Sequence, residues 1–256
     1  MGNRSKGKGN NMQITIRNIG LTVDDSLMRV YVAAPKPEGQ YPGILFYSDI
    51  YQLGKPITHL ADRLAGYGYV VAAPEIFHRL EPIGTVIEPN DLGRLRGNDD
   101  ARRSEIAHYD ADAKAVLEWL KAESSVAAGK LGTLGFCIGG HLAFRTALNP
   151  EVKAAVCCYP TGIHNGKLGR GVADTIDRVS EIQAAVLTIF GTLDPHVPPE
   201  GRQTILEALD RAGVGHKSLV YEADHTFMRD DGYRYDPVAT DAAWGEIVGF
   251  LAQFLD

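Results

Sequence analysis

The sequence predicts an α/β architecture: a mostly parallel central sheet of about eight strands with helices on both faces. Three observations carry that expectation. Short apolar runs alternate along the chain with segments whose apolar residues recur every three or four positions. Several of the short runs are apolar at nearly every position, as strands buried on both faces require. One run, ending at Phe136, passes directly into a helical pattern at Cys137. Strands alternating with helices imply stacked βαβ units and a parallel sheet.

The elements follow in order. Residues 1–11, MGNRSKGKGNN, are polar, basic and glycine-rich, and are expected to form a disordered tail or an added leader. Lys6 breaks the myristoylation pattern there. Residues 12–256 are expected to form one domain. MQITIRNI and SLMRVYVAAP read as a strand pair, and YPGILFYSD as a strand buried on both faces. PITHLADRLAGYG is helical and closed by glycine, and YVVAAPEIF is another buried strand. Residues 78–100, rich in Pro, Gly and charge, read as a long excursion. HYDADAKAVLEWLKAE is helical and leads to the strand–cysteine–helix unit. Then come the strand VKAAVCCYP, a loop, the strand AAVLTIFGT, a helix near 200–212, the strand KSLVYEA and a final helix from about 239.

Composition excludes several classes of function. The 256 residues are 45% hydrophobic and 23% charged with a formal net charge of −6, so no concentrated basic face recommends nucleic acid as a partner. Runs such as AAVLTIF are too short to span a bilayer, and no apolar h-region follows the basic leader. Three cysteines do not make a disulfide framework, which makes a reducing cytoplasm the expected setting. His and Cys lack metal-ligand spacing and no cofactor motif is present, so neither metal nor cofactor is expected. The oligomeric state is not legible.

In parallel sheets ligands bind beyond the carboxyl ends of the strands. Gly135-Phe136-Cys137-Ile138-Gly139 has the spacing of a nucleophile on a sharp strand-to-helix turn, with cysteine where serine is usual. Small residues two positions away let the chains pass. The helix N-terminus favours a thiolate, and the Ile138 N–H can face a developing oxyanion. Taken alone, Cys137 could equally be a buried core cysteine. A nucleotide loop does not fit, because Gly132, Gly135, Gly139 and Gly140 do not make G-x-G-x-x-G. Asp194 follows the strand VLTIF and His225 follows SLVY, giving nucleophile, acid and histidine in the chain order this turn demands. His196, His216 and His108 are set aside as near loop or strand starts or on a helix. Cys157 and Cys158, adjacent on one strand, are expected to point to opposite faces and to pack the core.

GFCIGGHLAF, GTLDPHVP and DHTFMR, in that order, resemble the dienelactone hydrolase (carboxymethylenebutenolidase) family of α/β-hydrolases. The resemblance runs from about Met12 to the end. It implies that Cys137, Asp194 and His225 form the catalytic triad and that Ile50 supplies a second oxyanion N–H. It implies that Asp49, where the family has glutamate, contacts the resting thiol and controls its ionisation. It implies that Arg229 binds a substrate carboxylate. A second such arginine is expected after the fourth strand, with Arg94, Arg102, Arg96 and Arg103 all competing. From the residues alone, Asp49 could be a turn residue and Arg229 an exposed loop arginine. The expected activity is hydrolysis of activated esters or enol-lactones through an acyl-thioenzyme. The alternatives are a non-catalytic module binding a small ligand or partner, and a hydrolase of thioesters or other esters.

Overall fold

A computed structural model describes residues 12–256. The tail or leader expected over residues 1–11 lies outside the described residues. Strands β1 (Ile14–Val23) and β2 (Ser26–Pro35) pair antiparallel with Val23 opposite Ser26. Asp24 and Asp25 between them have φ of 46° and 61°. Positive φ at both central residues is the hairpin turn whose twist matches its flanking strands, at a steric cost for any side chain.

The remaining elements are β3 (Tyr41–Tyr47), α1 (Lys55–Gly66), β4 (Val70–Pro74), α2 (Asp91–Arg103), α3 (Ile106–Ala122) and β5 (Val126–Phe136). They continue with α4 (Ile138–Thr146), β6 (Val152–Cys158), β7 (Ala185–Gly191), α5 (Pro199–Ala212), β8 (His216–Tyr221) and α6 (Pro237–Leu255). The eight strands form one sheet in the order β1-β2-β4-β3-β5-β6-β7-β8. β1 and β2 run antiparallel to their neighbours, and the other six are mutually parallel. This is the α/β-hydrolase fold, and the eight strands stand where the apolar runs placed them.

Two apolar layers sandwich the sheet. One holds Val116, Leu117 and Leu120 of α3, Leu142 of α4, and Ile205 and Leu209 of α5. The other holds Ile57, Leu60 and Leu64 of α1 with Trp244, Ile247 and Leu251 of α6. Side chains alternate across a strand, so Cys157 falls in the first layer and Cys158 in the second. Burial pushes both thiols up, which leaves them inert packing groups.

The segment 78–100 differs from its reading as an irregular excursion, because α2 begins at Asp91 and runs beyond it. Its buried positions are Gly93, Gly97 and Asp100, three or four residues apart. The helix seats bare backbone, not apolar side chains: a Cβ on Gly93 would lie 1.8 Å from the Glu88 carbonyl oxygen, and one on Gly97 would lie 2.5 Å from that of Ile50. A hydrophobic periodicity cannot report such a face. The Asn90 side chain caps the helix by accepting from the Gly93 N–H at 2.9 Å. Two boundaries also move by two residues: α3 starts at Ile106, and α6 starts at Pro237, capped by Asp236.

Replacing Asp25 by glycine removes the side-chain penalty at φ 61°. We expect the variant to be more stable by about 1 kcal/mol in urea unfolding. Unchanged or lower stability would mean that the aspartate itself contributes to the turn.

Candidate active site

Cys137 is the residue between β5 and α4, with φ 60° and ψ −121°. That strained conformation persists because the surroundings leave no alternative. A Cβ on Gly135 would stand 2.0 Å from the Gly139 carbonyl oxygen, and one on Gly139 would stand 2.2 Å from the Ser48 carbonyl oxygen. Gly140 is hemmed in likewise, with the Cys158 carbonyl oxygen 2.8 Å from a built Cβ. Backbone therefore packs on backbone around the corner, and the Cys137 side chain is lifted off the sheet end. The Cys137 N–H donates to the Cys158 carbonyl at 3.1 Å. Ile138 is the first residue of α4, so its N–H has no acceptor within the helix.

Asp194 follows β7 and His225 follows β8, and the fold brings both to the sulfur. His225 Nε2 lies 3.2 Å from Cys137 Sγ, and its Nδ1 lies 2.8 Å from Asp194 Oδ2. Asp194 Oδ1 accepts the His196 N–H at 2.7 Å, so both carboxylate oxygens are engaged. All three side chains are buried: Cys137 is 9% exposed, and Asp194 and His225 are 4% exposed. Burial alone would discharge the imidazole. The negative charge on Cys137 and the hydrogen bonds to Asp194 and Cys137 outweigh it and raise His225 to about 10. Burial pushes Asp194 up in the same way, but its hydrogen bond to His225 and that residue's charge hold it below the usual carboxylate value. Tyr159 packs edge-on against the His225 ring with centroids 5.3 Å apart.

Above the sulfur opens a cavity of about 700 Å³. Ile50, Cys137, Ile138, Thr161, His196 and His225 reach its wall. Ile50 sits in the turn after β3. There Tyr51 N–H donates to Asp49 Oδ1 at 2.9 Å and Gln52 N–H donates to the Asp49 carbonyl at 3.1 Å. Those bonds leave the Ile50 N–H without an acceptor among the described residues.

Arg94 and Arg102 of α2 line the cavity together with Lys167 and Arg234. Of the other two arginines considered there, Arg96 is drawn off by Glu81 and Arg103 faces Asp99 and Asp100. Among the described residues Lys167 has no carboxylate within ion-pair distance, so the mouth presents an uncompensated positive charge.

Asp49 and Arg229 are paired with each other. Asp49 lies at the cavity wall, but Arg229 Nη1 donates to its Oδ2 at 2.5 Å and its Oδ1 is held by Tyr51. Among the described residues the Cys137 sulfur has its hydrogen bond with His225, not with Asp49. Arg229 is 7% exposed, is absent from the cavity wall, and is further paired to Asp231 at 3.0 Å. Burial raises the Asp49 carboxyl against the pull of Arg229. Asp49 thus closes the turn 49–52 and pairs with Arg229, which is buried, not exposed.

His196, set aside from the sequence, belongs to the site. Its ring stands edge-on to His225 with centroids 4.6 Å apart, and burial followed by the His225 charge lowers its pKa. The available signal was its position two residues after Asp194, where the same carboxylate can hold its N–H. His108 lies on α3, and His216 opens β8 with Nδ1 on the Val214 carbonyl at 3.0 Å. Among the described residues no three His, Cys, Asp or Glu side chains are grouped to hold a metal ion, and no helix is long and apolar enough to cross a membrane.

Because His225 is raised to about 10, its imidazolium persists through neutral pH and is lost as pH rises through that value. An unassisted cysteine ionises near ~8.5. At pH 6.5 iodoacetamide should therefore alkylate wild-type Cys137 at least about tenfold faster than in His225→Ala, and the gap should close above pH 10. Equal rates at pH 6.5 would mean that the histidine does not activate the sulfur. Gly135→Ala, which forces a Cβ into the Gly139 carbonyl, should lose more than about 2 kcal/mol in urea unfolding. A near-neutral result would show that the corner can relax.

Comparison with known proteins gives concordant results. The family model for the dienelactone hydrolase family matches residues 28–255. A candidate carboxymethylenebutenolidase of Saccharomyces cerevisiae is 36% identical over 230 residues, covering 85% of this chain and 84% of its own length. One of Synechocystis is 29% identical over 242 residues, covering 92% of this chain and 96% of its own. The crystal structure of a candidate dienelactone hydrolase from Klebsiella pneumoniae superposes with a TM-score of 0.77 at 25% identity, covering 94% of this chain and all of its own.

Proposed function

Because this chain belongs to the dienelactone hydrolase family of carboxylic ester and lactone hydrolases, we propose that it cleaves activated esters or enol-lactones through an acyl-thioenzyme built on Cys137. The observation that carries this reading is the 3.2 Å contact between His225 Nε2 and the Cys137 sulfur, beneath a cavity whose wall includes Ile138 and Ile50.

His225, oriented by Asp194, holds the proton of the Cys137 thiol as an imidazolium, and the thiolate attacks the substrate carbonyl carbon. The carbonyl electron pair moves onto oxygen, where Ile138 and Ile50 N–H groups stabilise it; one such donor contributes about 3–4 kcal/mol. Collapse of this intermediate breaks the acyl C–O bond, and His225 returns the proton to the departing oxygen. A water, deprotonated by His225, then attacks the thioester carbonyl. The second intermediate expels the thiolate and releases the carboxylic acid.

Sulfur imposes a selection on the substrate. A thiolate leaves a tetrahedral intermediate more readily than an ordinary alkoxide does, so attack on simple alkyl esters reverts. Enol and aryl leaving groups depart readily enough to compete. Lys167, without a carboxylate partner among the described residues, supports substrates with negative charge away from the reacting carbonyl. Arg94, Arg102 and Arg234 at the same wall are paired with Asp91, Asp99 and Asp224. A free thiol nucleophile suits a reducing compartment such as the cytoplasm.

A panel of enol-lactones, aryl esters, alkyl esters and thioesters tests the proposal. Wild type should favour the enol and aryl substrates strongly in kcat/KM, and Cys137→Ala should reduce that activity at least about a thousandfold. Comparable rates on alkyl esters, or better rates on thioesters, would replace the substrate assignment. Activity undiminished in Cys137→Ala, or none on any substrate, would remove the catalytic role and favour a binding module.

A further inference from the structure

We propose that His141 is a positioning residue for substrate recognition: its two ring nitrogens pin both ends of the loop 161–175 and so hold Lys167 at the cavity mouth. This rests on the catalytic reading above and adds to it a residue that touches neither substrate nor reacting atoms.

His141 lies in α4 four residues after Cys137 and is fully buried. A histidine sealed there needs a partner for each nitrogen, and the fold supplies both. Nδ1 lies 2.9 Å from the Thr161 carbonyl oxygen, and Nε2 lies 3.0 Å from the hydroxyl of Thr175, itself buried. A carbonyl can only accept, so Nδ1 carries the proton and the Nε2 lone pair accepts from the Thr175 hydroxyl. Thr175 Oγ1 in turn accepts from Arg145 Nη1 at 3.0 Å. Arg145 is anchored by Asp110 at 2.7 Å and by Asp174 at 2.6 Å. The chain of donors therefore runs one way, from Arg145 through Thr175 and His141 to Thr161. Burial lowers His141 to about 3, so the ring stays neutral and the chain keeps its direction at neutral pH.

What the ring holds is a wall of the cavity, formed by Thr161, Gly162, Lys167, Leu168, Gly169 and Gly171. Thr161 is fixed on both sides of its main chain. Its N–H donates to the Cys137 carbonyl at 3.2 Å, and its own carbonyl accepts from His141. Lys167 is seated on the next residue. Its N–H donates to the Gly162 carbonyl at 3.0 Å, and a Cβ on Gly162 would stand 1.8 Å from the Lys167 carbonyl oxygen. Farther along, Ala173 N–H donates to the Gly166 carbonyl at 2.9 Å, and Arg170 N–H donates to the Ser104 carbonyl at 2.8 Å. The loop is thus braced within itself, and one imidazole grips it at Thr161 and at Thr175. Without that ring the loop can shift as a unit and carry Lys167 with it. Cys137, Asp194 and His225 keep their own contacts.

A matched pair of substrates separates this role from simple packing. Wild type, His141→Leu, His141→Asn, Thr175→Val, Lys167→Gln and the His141→Leu/Lys167→Gln double variant are assayed on neutral p-nitrophenyl hexanoate and anionic p-nitrophenyl hemiadipate. The two acyl chains differ only in ending with a methyl or a carboxylate. Alkylation of Cys137 by iodoacetamide is timed in parallel, and urea unfolding reports stability. Leucine removes both ring bonds and valine removes only the Thr175 hydroxyl. The asparagine amide can donate to Thr161 from the place of Nδ1.

The proposal predicts that His141→Leu raises KM for the hemiadipate about tenfold, while kcat on both esters and KM for the hexanoate stay within about threefold of wild type. Lys167→Gln should raise the hemiadipate KM similarly, and the double variant should add little, because both changes act on one contact. His141→Asn should recover most of the loss, and Thr175→Val should fall between. Alkylation in the His141 and Thr175 variants should match wild type. A less stable His141→Leu with an unchanged ratio of the two KM values would make the histidine a packing group and overturn the proposal. Equal KM increases on both esters, or slower alkylation, would place the damage at the corner and overturn it too. So would additive losses in the double variant, or a Lys167→Gln variant with the wild-type hemiadipate KM. If His141→Leu does not fold, Thr175→Val decides, and an unchanged ratio there overturns it. No wild-type turnover of either ester would overturn the catalytic reading together with this proposal, whereas every other adverse outcome strikes the proposal alone.

Discussion

Everything functional here hangs on a corner where backbone meets backbone. Cys137 occupies a left-handed conformation that costs a non-glycine residue free energy, and it is kept there because Gly135, Gly139 and Gly140 let three chain segments approach without side chains between them. The same contacts aim the sulfur away from the sheet and begin α4 at Ile138. They also tie Cys137 to the end of β6 through its N–H. Were the corner to relax, the 3.2 Å sulfur–imidazole contact would be lost.

Charge is then distributed around the corner so that the buried ionised groups have partners. Asp194 spends one oxygen on the His225 ring and the other on the backbone of its own loop. It therefore fixes the imidazole by being fixed itself. Asp49 and Arg229 are likewise engaged, Asp49 by Arg229 and the Tyr51 N–H, and Arg229 by Asp49 and Asp231. The cations that do face the cavity come from α2, from the loop after β6 and from the loop after β8.

Much of this was legible in the sequence, for physical reasons that can be named. The strands show because they are buried on both faces and leave continuous apolar runs. The corner at Cys137 shows because steric crowding dictates small residues at fixed offsets from it. Asp194 and His225 show because their strands end just before them. α2 does not show, because it is seated on glycines, and an absence of side chains has no hydropathy period. The placement of Asp49 and Arg229 does not show either. A family pattern aligns positions, and whether an arginine reaches a cavity or a carboxylate 180 residues away is decided by packing. His196 was passed over because its importance lies in sharing a carboxylate with the triad, a relation visible only in three dimensions.

The glycine seating of α2 has a consequence for how this scaffold can change. Its inward contacts are made by main chain at Gly93 and Gly97, while Arg94, Leu95, Asn98, Ala101 and Arg102 look into the cavity. Apart from Ala101, which packs against the first apolar layer, these positions contribute almost nothing to the layers beneath. They can be randomised in a library, or drift over evolutionary time, with little penalty in folding. New specificities should arise on that one helix while the chemistry below stays untouched.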